Sequence, residues 1–400
     1  MESQVPALTT YFDTSATTPA AVEVLEAMTY AQSTAWANPS SLHSLGLAAA
    51  EQLERSRLSL AAGLDCEPDE LVVTSGGTEA IHLALLGAAA GLTPGRLVIS
   101  AVEHPATLAA AAQLQQRGWS VKTVPVDKRG LLDLDALDGL LVPPTRLVSV
   151  IWGQSEVGSL QPIEAIGARC RRAGVLLHVD AVQVVGQLPI TFRQLPIDLL
   201  SGAAHKLQGP RGIGLLLVRR GLAIQSQLGG GGQEGGRRGG TEPVVLLSGF
   251  AKALELSHAC PSPAPLRDSL LNRLLRLPGV RLSGPPPGDS RLPHHISLLV
   301  SSEAGQPLSG RHLVRELSRQ GFALSSGSAC SSSGSAASPV LQSLGYSEAE
   351  AASGLRISLG PWHRPTDLDA LVEALQFVLA SSVASADPLT ANASSRSAQR

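Results

Sequence analysis

Paired cysteines are the first thing missing from this 400-residue sequence: Cys66, Cys170, Cys260 and Cys330 are scattered, with no CxxC among them. That argues against a disulfide scaffold and a zinc cage, and no metal-ligand set is expected. Each thiol is by default a small buried hydrophobe, and the question is which one departs from that default. Charge is also scarce. With 16% charged residues and a formal net charge of −2, no global field recruits nucleic acid or an anionic membrane surface. No apolar run approaches the roughly 18 residues that a membrane-spanning helix needs. The opening MESQVPALTT has no basic stretch followed by an apolar one, so no secretory leader is expected and the chain reads as cytoplasmic. What is abundant is apolar: 44% hydrophobic residues, over a length suited to about two or three domains, exclude a disordered chain.

Short runs rich in Val, Leu and Ile alternate with longer helical patterns. Strands are predicted at Leu71–Thr74, Arg96–Ser100, Ser120–Pro125, Leu147–Ile151, Val175–Val179, Leu199–Ser201 and Ile213–Val218. Helices are predicted between them at Thr78–Ala90, Pro105–Arg117, Asp133–Leu140 and Pro162–Ala173. The apolar runs are continuous rather than alternating. This predicts βαβ units and a parallel sheet buried on both faces, in an α/β fold. After Ser257 the texture changes. A Pro-rich stretch gives way to a helix at Leu266–Leu277, a strand at His295–Ser301, and helices at Gly310–Gln320 and Pro365–Ala380, which reads as a smaller α+β domain. The expected division is an N-terminal segment over 1–20 that serves the small domain and the site, a large domain over 21–258, a small domain over 259–385, and a disordered tail over 386–400.

Three stretches carry chemistry. In Val175-Leu-Leu-His-Val-Asp-Ala-Val-Gln183 an apolar strand runs into Asp180, which either caps the next helix or faces a ligand at a strand's carboxyl end. In Ile197–Gly214 another strand runs out into small residues and presents His205-Lys206 before a glycine-rich turn. A lysine in such surroundings suits an amine whose pKa must fall to form a Schiff base, or is an ordinary surface lysine. In Leu71-Val-Val-Thr-Ser-Gly-Gly-Thr-Glu-Ala80 a strand, a tight turn and a helix start make either a plain cap or a seat for a phosphate ester. An acid for a ring nitrogen, a lysine for an imine and a phosphate seat are together the parts that pyridoxal phosphate needs.

The chain resembles the cysteine desulfurases of the fold-type I, class V aminotransferase group, in the branch serving iron–sulfur and nitrogenase cluster assembly. The matching stretches run from Tyr11-Phe-Asp-Thr-Ser-Ala-Thr-Thr-Pro19 through Asn38–Gly46, Ser75–Glu79, Glu103-His104, His178–Gln183, His205-Lys206, Gly239–Pro243 and Ser325–Cys330 to Leu355–Gly360. The resemblance implies a large, mainly parallel αβα sandwich domain with a smaller α+β domain. It implies a homodimer that turns L-cysteine into L-alanine, leaves a persulfide on Cys330 and passes that sulfur to an acceptor or scaffold protein. Lys206 would hold the cofactor and move the substrate's α-proton. Asp180 would pair with the pyridinium nitrogen, Gln183 would bond the ring hydroxyl, and His104 would stack on the ring and assist proton transfer. Gly77, Thr78 and His205 would hold the phosphate, with Thr241 reaching it from a second subunit. Asn38 and Arg356 would take the substrate carboxylate, unless Arg356 serves a structural salt bridge.

Cys330 is the thiol singled out, because residues 325–338 are nearly all Ser, Gly and Ala and such a loop is expected to move. Two positions depart from the family. Ser155 stands where an Asn that positions cofactor and substrate is usual, and Ala203 where a hydroxyl residue bonds the phosphate. Each lost charge-assisted hydrogen bond is worth about 1.5–3 kcal/mol. The alternatives are another class V enzyme such as a selenocysteine lyase, or a non-catalytic subunit that keeps the fold.

Overall fold

The computed structural model describes residues 8–327 and 337–384. Among these residues two sheets form. The larger is built from β1 (Leu71–Thr74), β2 (Arg96–Ser100), β3 (Ser120–Val124), β4 (Thr145–Ile151), β5 (Leu176–Asp180), β6 (Leu199–Ala203) and β7 (Gly214–Val218), in the spatial order β1-β7-β6-β5-β4-β2-β3. The smaller is built from β8 (Val280–Leu282), β9 (His295–Val300), β10 (Ser325–Ser326) and β11 (Gly354–Ser358), in the order β10-β11-β9-β8.

The strands form where the apolar runs predict them. β1, β5, β6 and β7 are buried along almost their whole length, as continuous Leu/Val runs require when helices cover both faces. Two expectations are corrected. β7 runs antiparallel to both β6 and β1, because a short turn after Lys206 leads straight back along the sheet with no crossover helix. β3 is largely exposed, because it forms the open edge beyond β2. The sheet is therefore mostly parallel, within an α/β fold.

The helices between strands start and stop on local chemistry. His104 caps Pro105–Gln116 by accepting the Ala106 N–H at 3.1 Å, with Pro105 at a position where its missing N–H costs nothing. Ile163–Ala173 ends at Gly174, whose φ of +66° is the left-handed turn that closes a helix. The alternation of strand and helix does not extend to three further helices, Val22–Thr34, Ser44–Gly63 and Val244–Ala259. They lie against one another: Gln52 Nε2 donates to Ser248 Oγ at 2.9 Å, and a Cβ at Gly249 would meet Met28 at 2.7 Å.

Both sheets have their own core, one around Leu177, Val179 and Leu215 and the other around Ile296, Leu355 and Leu371. The N-terminal segment stitches them together. Ser358 N donates to Phe12 O at 2.8 Å, Ser15 N to Ser358 Oγ at 2.9 Å, and Thr18 N to His205 O at 2.9 Å. A strand of the small sheet is thereby tied to the turn that follows β6.

Candidate active site

β1, β2, β4, β5 and β6 all point their carboxyl ends the same way, and the residues that follow those ends line one cavity of about 290 Å³. Open α/β sheets place their ligands at this edge. Gly77 and Thr78 come from the turn after β1, His104 from after β2, Ser155 from after β4, Asp180 from the last position of β5, and His205 and Lys206 from the turn after β6. Gln183 follows Asp180, and Arg356 enters from β11 of the small sheet. Nine of the site residues expected from the sequence are thus brought together. Asn38 and Thr241 are not: both are exposed and line a separate depression of about 400 Å³. Cys330 lies outside the described residues.

Asp180 is 3% exposed and takes one backbone hydrogen bond, from Val182 N at 3.0 Å. Burial pushes its carboxyl up to about 6, against the pull of the Val182 N–H and the Lys206 charge. A buried acid in that state is a strong partner for a cationic ring nitrogen. Lys206 Nζ donates to the carbonyls of Ser15 at 2.6 Å and Ala16 at 2.7 Å. Gln183 Nε2 donates to the same Ser15 carbonyl at 2.8 Å.

His104 is held as a neutral ring, its pKa lowered first by burial and then by the Lys206 charge. Because Nδ1 accepts the Ala106 N–H, the hydrogen of the neutral ring sits on Nε2. His104 therefore has a hydrogen-bond donor, not an acceptor, at Nε2. His205 is also neutral, at about 4, with burial the main cause, and its Nδ1 lies 3.1 Å from Thr17 Oγ1.

Arg356 combines the two readings open to it. One terminal nitrogen, Nη2, forms an ion pair with Asp13 at 2.8 Å and the other, Nη1, donates to the Ser155 carbonyl at 3.1 Å. Its Nε is buried with no hydrogen-bond partner. The structural salt bridge aims the guanidinium, and the side chain lines the cavity.

Several residues around the site are given no role by the sequence, although Glu103 lies in one of the stretches that carry the resemblance. Ser15 and Ala16 act through backbone carbonyls, which every residue has, although their stretch is among those that carry the resemblance. Glu103 is 5% exposed beneath the site, accepting from Ser100 Oγ at 2.5 Å and from Ile151 N at 2.8 Å. Burial pushes it up to about 8, with the Asp180 charge adding to the rise. Two adjacent histidines complete the surround. His294 Nε2 lies 3.3 Å from Ser15 Oγ, and His295 Nε2 donates to the Ser155 carbonyl at 3.0 Å.

The glycine turn after β1 is shaped by backbone alone. Gly76 has φ +155° and ψ −179°, a region that a side chain does not reach. Across from it, a Cβ on Gly214 would meet Gly76 C at 2.6 Å and Gly202 O at 2.7 Å. The turn rests directly on β7 and presents the Gly77-Thr78 helix start to the cavity.

The class V aminotransferase family profile matches residues 10–371, and the chain belongs to that family. Relatives within the family include cysteine desulfurases. A cysteine desulfurase of Cereibacter sphaeroides is 39% identical over 372 residues, 91% of this chain and 94% of that one. The cysteine desulfurase IscS of Methanosarcina thermophila is 36% identical over 372 residues, 91% of this chain and 90% of that one. Among solved structures, a NifS-like protein superposes with a TM-score of 0.85 at 31% identity, covering 93% of this chain and 99% of its own. A structure described as SspA in complex with cysteine gives a TM-score of 0.79 at 32% identity, covering 89% of this chain and 100% of its own.

Members of this family depend on pyridoxal phosphate, and the cavity fits that group by its donor set. It offers a buried carboxyl for the ring nitrogen, an amine beside it, a neutral imidazole, and a helix start whose backbone a side chain would crowd: a Cβ on Gly77 would meet Val182 at 2.7 Å. Ala203 brings no hydroxyl to this end of the cavity. The Thr17 hydroxyl nearby is bonded to His205.

Of the remaining thiols, two are unsuited to attack. Cys66 and Cys170 are buried, each pushed up to about 12 chiefly by desolvation. Cys260 is exposed, and partial burial raises it too. Among the described residues, no helix is long and apolar enough to cross a membrane.

Proposed function

We propose that this chain is a pyridoxal phosphate-dependent cysteine desulfurase that takes sulfur from L-cysteine onto Cys330, releases L-alanine and hands the sulfur to an acceptor protein. The observation that carries the reading is the meeting of Asp180, Lys206, neutral His104, Arg356 and the Gly77-Thr78 turn in one cavity. Bound there, pyridoxal phosphate supplies an electron sink for the carbon that bears the substrate's amino group. Asp180 holds its ring nitrogen protonated, and Gly77, Thr78 and His205 hold its phosphate. Lys206 anchors it and moves the substrate's α-proton. His104 stacks on the cofactor ring and assists that transfer through the hydrogen bond its Nε2–H can donate. Arg356 takes the substrate carboxylate, its fork already aimed by Asp13 and the Ser155 carbonyl. The Cys330 thiolate attacks the substrate sulfur: an S–S bond forms, the C–S bond breaks, and the bonding pair stays with the carbon skeleton, which leaves protonated as alanine.

The homodimer of this reading is supported by what surrounds Asn38 and Thr241. Their depression borders Trp36, 62% exposed, and the chain nearby exposes Tyr30, Leu42 and Leu45. A second copy covering this apolar face would carry Asn38 and Thr241 toward its partner's cavity. A cytoplasmic setting suits chemistry run by a free thiol, which needs a reducing compartment.

The test is incubation of the cofactor-loaded protein with L-cysteine and a reductant. Alanine and sulfide are expected in equal amounts. Lys206→Ala should lose the imine absorbance and turnover together, and Cys330→Ser should keep the absorbance and lose sulfide release. A Cys330→Ser protein that releases sulfide from cysteine at the wild-type rate would overturn the desulfurase assignment in favour of a lyase. A protein that neither takes up the cofactor nor turns over would be a fold-retaining subunit.

A further inference from the structure

His295 is the first residue of β9, pairs in register with Ser358 of β11, and is fully buried. Its Nε2 lies 3.0 Å from the carbonyl oxygen of Ser155. A carbonyl only accepts, so Nε2 carries the ring hydrogen and Nδ1 is a bare lone pair. That lone pair is buried and has no hydrogen-bond partner. A Cβ at Gly158 would lie 2.6 Å from Nδ1, so the Gly158 backbone packs close to that edge of the ring, at a φ of +76° that itself favours glycine.

A buried acceptor left unpaired destabilises a protein, and an apolar side chain of the same size would avoid that cost. The histidine is therefore accounted for by what Nε2 does. The Ser155 carbonyl it grips is the one that also receives Arg356 Nη1 at 3.1 Å. Asp13 holds the other nitrogen of the fork, so two anchors set the plane of the guanidinium, and one of them is a loop carbonyl fixed from behind by His295. Position 155 has no asparagine amide to offer, and what it gives Arg356 is its carbonyl.

We propose that His295 is a positioning residue for substrate binding: its Nε2–H fixes the Ser155 carbonyl that orients the Arg356 guanidinium toward the substrate carboxylate. This rests on the reading of Arg356 as the carboxylate site, and the experiment separates the two. His295→Met and His295→Gln have nearly the same size, but only the glutamine carries a donor at the reach of Nε2. In cofactor-loaded enzyme, H295M is expected to raise KM for L-cysteine about tenfold with kcat within twofold, and to weaken calorimetric binding of L-alanine by a similar factor. H295Q should return both to within about threefold of wild type. Binding of cysteamine, which lacks the carboxylate, should not change in either variant. In an Arg356→Gln background H295M should add nothing further, because the two act through one contact. Should H295M fail to fold, H295N, whose amide stops short of the carbonyl, replaces it in the same comparison. Equal KM values for the donor and non-donor variants, or effects that add to those of R356Q, would overturn the proposal. If R356Q itself left the KM for cysteine untouched, the carboxylate reading would fail instead.

Discussion

Burial is the recurrent device around this cavity, and Glu103 shows what it does. One carboxylate oxygen accepts from Ser100 and Ile151, and the whole side chain is buried. The acid is pushed from its ordinary value to about 8, so it stands neutral at pH 7, next in sequence to His104. For a carboxyl raised on folding, the folded chain keeps a proton that the unfolded chain releases. Between the ordinary value of 4.5 and about 8, stability therefore falls as pH rises, by about 1.4 kcal/mol for each unit traversed. Glu103→Gln keeps an acceptor for both donors and has no charge to bury. In cofactor-free protein the two should melt together at pH 4, and the glutamine variant should melt several degrees higher at pH 9. Differential scanning calorimetry that gave parallel pH profiles would refute this account.

Turns, more than regular elements, carry the chemistry at the next scale. The strands supply only direction, pointing five carboxyl ends at one edge, and apart from Arg356 each candidate group sits at such an end or two to four residues beyond it. The turn after β1 is held by its contact with β7, where Gly214 and Gly76 approach without side chains. Gly214→Ala forces a methyl group against backbone that cannot swing away. It should cost about 1–3 kcal/mol in urea denaturation and loosen the cofactor's phosphate end, seen as faster cofactor loss on dialysis. Wild-type stability with wild-type cofactor retention would mean that the turn yields freely. The glycine motif of this turn is legible in the sequence as a helix start. Its rest on β7 is not, because β7 returns antiparallel where the alternating pattern reads as another parallel strand.

In the proposed dimer, a second copy of the chain would account for the two expected site residues that lie away from the cavity. Asn38 and Thr241 share an exposed depression away from the cavity, beside Trp36. Trp36→Asp places a charge in the middle of that apolar face. It should turn a dimer into a monomer by sedimentation, with the helix signal in circular dichroism retained and desulfuration lost by at least tenfold. A monomeric, fully active W36D protein would show that one chain suffices. The same scale explains the N-terminal segment, which joins the small sheet to the Lys206 turn and so closes the cavity between the two sheets.

The order of strands and helices from Leu71 to Val218 and most of the residues that line the cavity follow from the sequence alone. Apolar runs, turn glycines and reactive side chains are each written in single letters or short motifs, and so are read locally. The three helices around Val244–Ala259 escape that reading, since they pack on one another outside the alternation. Only the tertiary structure decided which backbone carbonyls hold the reactive groups. Ser15 meets Gln183 across 168 positions, and Ser155 meets Arg356 across 201. Every residue has a carbonyl, so nothing in its letter marks it, and its place is set by where two distant stretches of chain come to rest together.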